Sequence, residues 1–390
     1  MHSKRPNKRL ELNGHASEAQ QRSDPSGATL SDRTTVVVNN TALQLKFNDL
    51  TYVRKLGSGQ FATVHHVRVK RNDVVYDFAV KEIKISRSEM QKSRIRQESE
   101  FGIRMSVCPF AVITYGVMGR GDDVRILMEV MDSSVTNLCF KRDLARLDMP
   151  EEHVAFITKC VVKGLDFLCQ RDIQHRDVKP TNMLVNRSGF VKICDYGVAQ
   201  KMEGDITKTN VGTYKFLAPE RLVGGRQEEG FRIQSDVWSL GVSVYNIVTS
   251  SIPFPENATI FDYHSYIMAN ADVELPTDRP YSRELRTFVS SCLKVNEANR
   301  PNYTELLRLD FIANIKIKEH KPLFREFPCS IKSHTHTHPV QSLTPCSPFD
   351  DSCFKTLTSL TVLKVLQVLS SPITIFFPTE IVLPKWLIFP

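Results

Sequence analysis

His175-Arg176-Asp177-Val178-Lys179-Pro180-Thr181-Asn182 is the stretch from which the rest of this chain is best read. It sets a carboxylate, two cations and a carboxamide close together, all groups suited to phosphate chemistry. Asp177 is placed to accept a proton from a hydroxyl, Lys179 to hold a transferred phosphate, and Asn182 to offer an oxygen to Mg2+. Arg176 presents a planar guanidinium fork of the kind that grips a phosphate or a carboxylate. A chance string of these residue types in this order is improbable, so a purely structural reading is set aside.

Outward from this string, Asp195-Tyr196-Gly197 supplies a second oxygen ligand for a hard cation. Upstream, Phe78-Ala79-Val80-Lys81 reads as a strand. A lysine flanked by apolar strand residues must reach solvent or meet a buried anion. Further upstream, Leu56-Gly57-Ser58-Gly59-Gln60-Phe61-Ala62-Thr63-Val64 is a glycine-rich turn between two expected strands. Gly57 and Gly59 let the backbone close over phosphate oxygens without a Cβ in the way; a plain hairpin would use the same two glycines.

The surrounding patterns divide the chain. β-rich runs at Tyr52–Leu56, Thr63–Val69, Asp77–Ile83 and Val124–Glu129 surround one helical stretch, Glu89–Met105. After Met131 the chain turns helical. Ile157, Val161, Gly164, Leu165 and Leu168 share one face, and Asp236–Thr249 is apolar nearly all round, as a buried helix would be. The expected fold is therefore α+β and bilobal, a small β-rich lobe before a larger helical one with a cleft between.

Residues 1–42 are rich in Ser, Asn, Thr, Arg and Lys and read as a disordered tail. Residues 43–315 form the folded domain, and 316–390 a linker and an apolar tail. Leu357–Phe377 is apolar but broken by Lys364, Gln367 and Pro372, which argues against membrane anchoring. His334, His336 and His338 alternate with Thr and read as solvated side chains rather than a metal site. The chain has 390 residues, 41% hydrophobic and 24% charged, the composition of an ordinary soluble globular protein. Its net charge of +8 is spread along the chain, favouring acidic partners such as nucleotide phosphates over nucleic acid. Nine scattered Cys with no CxxC pair suggest reduced thiols, in the cytoplasm with the nucleus as a second compartment.

Taken together, and with Gly212-Thr213-Tyr214-Lys215-Phe216-Leu217-Ala218-Pro219-Glu220 and Asn299-Arg300-Pro301, the motifs resemble those of eukaryotic protein kinases. Cys108-Pro109-Phe110-Ala111-Val112, Met128-Glu129-Val130-Met131-Asp132 and Val178-Lys179-Pro180-Thr181-Asn182-Met183-Leu184 narrow the resemblance to the MAP kinase kinases, most closely the stress-activated branch. It covers about residues 43–313. The resemblance implies ATP binding by Leu56 to Val64, Lys81, Met128, Glu129 and Met131, and Mg2+ held by Asn182 and Asp195. It implies catalysis by Asp177, Lys179 and Lys81, the last gripping the α- and β-phosphates and pairing with a helix carboxylate, Glu98 or Glu100. Glu220 would pair with Arg300, while Asp236-Val237-Trp238 would hold the lobe without touching the chemistry. Cys194 reads as a small packing residue.

The resemblance also implies phosphorylation of Thr and Tyr in the activation loop of a downstream MAP kinase, under control of an upstream MAP kinase kinase kinase. Thr209, or Thr207, would be the chain's own activating phosphosite, with Arg176 as the phosphate partner and Asp205 at the other family position. Lys8, Arg9, Leu10 and Leu12 resemble a docking peptide for the substrate. Ala62 in place of a third glycine, Tyr196, Thr181 and Thr213 depart from the family pattern. They leave open a Ser/Thr kinase with other substrates, or a pseudokinase scaffold.

Overall fold

The first element is one that the composition concealed. Thr34-Thr35-Val36-Val37-Val38 is a β-branched run, and it forms β1 (Arg33–Val38), paired antiparallel with β2 (Thr41–Lys46). The turn between them uses Asn40 at φ 61°, a left-handed conformation that Asn tolerates. Val36, Val38, Leu43 and Leu45 all point inward and are buried with Phe78, Val80, Met118 and Leu127. The reading of residues 1–42 as a disordered tail therefore fails from Arg33 onward. The hairpin can order because one face of it is apolar and finds a sheet to cover. The computed structural model describes residues 30–317, apart from 39, 60–61, 86–94, 96–98, 145–147, 196–212, 223–232, 256–257 and 271–272.

Beneath the hairpin lies a five-stranded antiparallel sheet of β3 (Thr51–Ser58), β4 (Ala62–Arg71), β5 (Val74–Lys84), β6 (Thr114–Arg120) and β7 (Asp123–Met128), in the order β3-β4-β5-β7-β6. Four of these strands lie where the sequence patterns place them; β6 was not anticipated. The segment ahead of β1 approaches β6 closely. A Cβ on Gly119 would stand 2.6 Å from Leu30 Cβ, so only glycine admits the contact. The Gly119 N–H donates to Ser31 O at 2.8 Å. Residues 99–105 are helical, the described end of the helix expected over Glu89–Met105.

The second lobe is helical, as expected: α1 (Val135–Leu144), α2 (Glu151–Cys169), α3 (Pro219–Leu222), α4 (Gln234–Thr249), α5 (Ile260–Ala269), α6 (Arg283–Cys292), α7 (Tyr303–Leu306) and α8 (Asp310–Ala313). Val237, Trp238, Leu240 and Val242 of α4 are wholly buried, which explains a helix apolar on every side. A small sheet of β8 (Ser133–Ser134), β9 (Met183–Val185) and β10 (Val191–Ile193), ordered β10-β9-β8, lies where the two lobes meet. Lys159 of α2 donates to Ala313 O and Ile315 O at 2.8 and 2.7 Å, fastening the end of the helical lobe. Among the described residues, no helix is long and apolar enough to cross a membrane. The apolar tail at Leu357–Phe377 lies outside them, as do His334, His336 and His338.

Candidate active site

The string quoted first lies between α2 and β9. It is held by a residue that the sequence reading had assigned only to the lobe's architecture. Asp236, buried at the start of α4, accepts the His175 N–H on Oδ2 and the Arg176 N–H on Oδ1, each at 2.8 Å. Burial pushes the Asp236 carboxyl above the usual carboxylate range, while His175 and the two N–H groups pull it back. Arg176 sits at φ 65°, and its carbonyl accepts from Arg221 Nη1 at 3.0 Å. The His175 ring lies 3.1 Å from the Cys194 carbonyl through Nε2, joining this loop to the segment ahead of Asp195.

Asp177, Lys179 and Asn182 converge as anticipated. Lys179 Nζ lies 2.9 Å from Asp177 Oδ1, and Asn182 Nδ2 donates to the Asp177 carbonyl and to its Oδ2 at 2.9 and 2.8 Å. That commits the nitrogen of the Asn182 carboxamide and leaves its oxygen as the end able to bind a cation. The Cys194 N–H donates to Asn182 O at 3.0 Å, so Asn182 and Asp195 are neighbours across a backbone hydrogen bond. Asp195 has φ 61° and pairs with Lys81 Nζ at 2.6 Å. The Lys81 charge is the foremost cause holding the Asp195 carboxyl below its ordinary value, against the opposing pull of burial.

Lys81 stands mid-strand, opposite Val64 on β4 and Ile126 on β7. Its predicted need for an anion is met across the cleft by Asp195. Of its two candidate helix partners, Glu98 lies outside the described residues and Glu100 is exposed. Gly57 and Gly59 adopt no left-handed φ. Among the described residues a Cβ on Gly57 would meet nothing within 4 Å, and one on Gly59 only the Ala62 carbonyl at 4.0 Å. Packing of the described residues thus does not demand glycine at either position. Ala62 lies on the strand that follows. It opens β4 opposite Ile83, and its carbonyl accepts the Gly59 N–H at 2.8 Å. Gln60, Phe61 and Tyr196 lie outside the described residues.

These donors suit Mg2+ bound with a nucleotide. Among the described residues no cluster of three or more His, Cys, Asp or Glu could hold a metal. One carboxylate and one amide oxygen form an incomplete shell, and Mg2+ commonly completes such a shell with phosphate oxygens and water.

Glu129 has its side chain committed elsewhere. Its carboxylate turns away to Lys192 Nζ at 2.6 Å and the Ile113 N–H at 2.8 Å, and its own N–H donates to Ile113 O at 2.9 Å. A nucleotide contact at Glu129 is therefore limited to its carbonyl. Met128 is half-buried and Met131 buried along the same connecting segment. Sequence reasoning missed Lys192, although its setting between Val191 and Ile193 repeats the argument applied to Lys81. Burial pushes the Cys194 thiol well up, which keeps it protonated and fits its reading as a packing residue. The Glu220–Arg300 pair forms as expected, two-pronged at 2.7 and 2.9 Å. Thr207, Thr209 and Asp205 lie outside the described residues, as do Lys8, Arg9, Leu10 and Leu12.

A glycine-rich turn, a strand lysine paired across the cleft to Asp195, and a loop carboxylate flanked by lysine and asparagine are the arrangement that a phosphotransferase cleft needs. The protein kinase domain family matches residues 50–312. The chain is 31% identical over 289 residues to "Dual specificity mitogen-activated protein kinase kinase sek-1" of Caenorhabditis elegans, covering 73% of this chain and 84% of that one. It is 32% identical over 296 residues to "MAP kinase kinase mkk-4" of the same organism, covering 73% and 80% respectively. "Protein kinase wis1" of Schizosaccharomyces pombe is 32% identical over 297 residues, 73% of this chain and 48% of that protein. The chain belongs to the protein kinases and, within them, to the MAP kinase kinases.

Proposed function

We propose that this kinase phosphorylates both Thr and Tyr in the activation loop of a MAP kinase, within a stress-type cascade and under an upstream MAP kinase kinase kinase. The observation that carries the dual specificity is Thr181. It is exposed between Lys179 and the buried Asn182, a small hydroxyl residue that leaves room beside the transferred phosphate for an aliphatic or a phenolic acceptor. The dual specificity in the name of the sek-1 relative supports the same reading. The acceptor hydroxyl gives its proton to Asp177 as its oxygen bonds the γ-phosphorus of ATP and ADP departs. Lys179 and Lys81 offset phosphate charge, and Mg2+ bound at Asn182 and Asp195 supplies further charge neutralisation. Docking through Lys8, Arg9, Leu10 and Leu12, and action in the cytoplasm and nucleus, belong to the same proposal.

The test is a phosphotransfer assay on a panel of inactive MAP kinases, with phospho-Thr and phospho-Tyr read separately and Asp177→Asn as control. Both products on one panel member are expected. Phospho-Thr alone on every member would replace dual specificity with Ser/Thr specificity.

A further inference from the structure

We infer that Lys192 and the Glu129 side chain are positioning residues for the nucleotide: one buried ion pair sets the metal-ligand Asp195 relative to the segment joining the two lobes. Lys192 lies in β10 with only 4% of its side chain exposed, and Glu129 with 12%. Their 2.6 Å contact does not stand alone. The same Glu129 oxygen accepts the Ile113 N–H at 2.8 Å. The stretch from Phe110 to Ile113 also runs alongside β10: the Ile193 N–H donates to Phe110 O at 2.8 Å and the Val112 N–H to Ile193 O at 2.9 Å. Three segments thus meet on one carboxylate. From Ile193 the chain passes through Cys194, fastened to Asn182, and reaches Asp195.

Stability is a poor reason for such a pair. Desolvating two charges costs about as much as their attraction returns, and apolar residues of similar size would pack as well or better. A buried charge pair that shares its carboxylate with a backbone N–H is more exacting in distance and direction than an apolar contact. Here that geometry relates the two ends of the cleft: the backbone of Glu129 to Met131 at one, Lys81 and Asp195 at the other. A nucleotide must touch both ends, whereas the protein acceptor touches neither Glu129 nor Lys192.

This inference rests on the nucleotide-binding reading of the cleft, and the experiment separates the two. In the full chain, the Mg·ADP dissociation constant is measured by calorimetry. KM is measured separately for ATP and for the protein acceptor, and Tm is recorded for each variant. Lys192→Met leaves a buried carboxylate unpaired. It should raise the Mg·ADP dissociation constant and the KM for ATP about tenfold, leaving the KM for the acceptor unchanged. The double variant Glu129→Gln with Lys192→Met removes both charges and keeps an acceptor for Ile113. It should recover Tm without recovering nucleotide affinity, so the test survives even if the single variant folds poorly. A double variant that binds Mg·ADP as tightly as wild type would reduce the pair to a structural role and overturn the inference. So would a single variant with lower Tm but an unchanged KM for ATP. Failure of the wild-type chain itself to bind Mg·ADP would instead sink the nucleotide-binding reading on which the inference stands.

Discussion

Asp236 holds Arg176 in a left-handed backbone conformation: its carboxylate accepts the Arg176 N–H at 2.8 Å, with φ at 65°. A non-glycine residue there costs about 1–3 kcal/mol. Hydrogen bonds to a charged acceptor, worth about 1.5–3 kcal/mol each, offset that cost. The bend they sustain turns Asp177 toward Lys179 and Asn182.

Asp236→Asn should therefore lower stability by about 2–3 kcal/mol, because an amide N–H₂ replaces one of two acceptors facing buried N–H groups. Denaturant unfolding would read this. Turnover should fall at least about tenfold, since the loop that aligns Asp177 with Lys179 and Asn182 is loosened. Unchanged kcat would show that the loop holds its geometry without the carboxylate.

Lys81→Met and Asp177→Asn should each reduce phosphotransfer by about a hundredfold or more, by different routes. The first removes the cation that Asp195 pairs with and should also weaken Mg·ADP binding. The second removes the acceptor of the hydroxyl proton and should leave Mg·ADP binding nearly intact. Calorimetry on both variants separates the routes; equal loss of binding would contradict them.

Glu220 and Arg300 make an acid-sensitive fastening. Burial is the largest single influence and would raise the Glu220 carboxyl, but the hydrogen bonds and charge of Arg300, with the backbone and Ser235 hydrogen bonds, together outweigh it and hold the carboxyl below its ordinary value. A depressed carboxylate contributes stability that is fully present above its unfolded value and is lost as pH falls through the folded one. Tm should thus fall below about pH 4.5. Glu220→Gln should be less stable at pH 7 by about 3–5 kcal/mol, since it strands a buried guanidinium, and should show a shallower acid limb. A variant whose acid limb matches wild type would rule the pair out as its source.

For the switch, Asp205 carries one negative charge where a phosphate carries nearly two, and so should mimic it only in part. Thr209→Ala should abolish stimulation by an upstream kinase while sparing basal turnover, and Asp205→Asn should lower basal turnover. Phosphopeptide mapping distinguishes Thr209 from Thr207. Full stimulation of Thr209→Ala would move the phosphosite elsewhere.

Leu10→Ala with Leu12→Ala should raise the KM for a full-length MAP kinase and leave that for a short acceptor peptide unchanged, because docking raises effective concentration only where a second site exists. An equal loss on both substrates would count against docking.

Much of this site was legible because its chemistry is carried by short strings of charged and polar residues. Asp177, Lys179 and Asn182 lie within one turn-forming stretch, and Lys81 announced itself as a cation on an apolar strand. The contributions of Asp236 and Lys192 were not legible. Both act through contacts to backbone or side chains more than sixty residues away, Asp236 to His175 and Lys192 to Glu129. Local patterning carries no information on such pairings. The hairpin of β1 and β2 was hidden differently: its alternation spans few residues, inside a segment whose average composition is polar. Averaging over a window erased a signal that Thr34 to Val38 contain.

That hairpin has a practical consequence for isolating the catalytic unit. The family match begins at residue 50, and a protein severed there would lose Val36, Val38, Leu43 and Leu45. Phe78, Val80, Met118 and Leu127 would then face water, each forfeiting about 1.5–3 kcal/mol of burial and together forming an adhesive apolar patch. Such a fragment should precipitate or self-associate. A cut made ahead of Leu30 would keep the hairpin and the contact of Leu30 with Gly119.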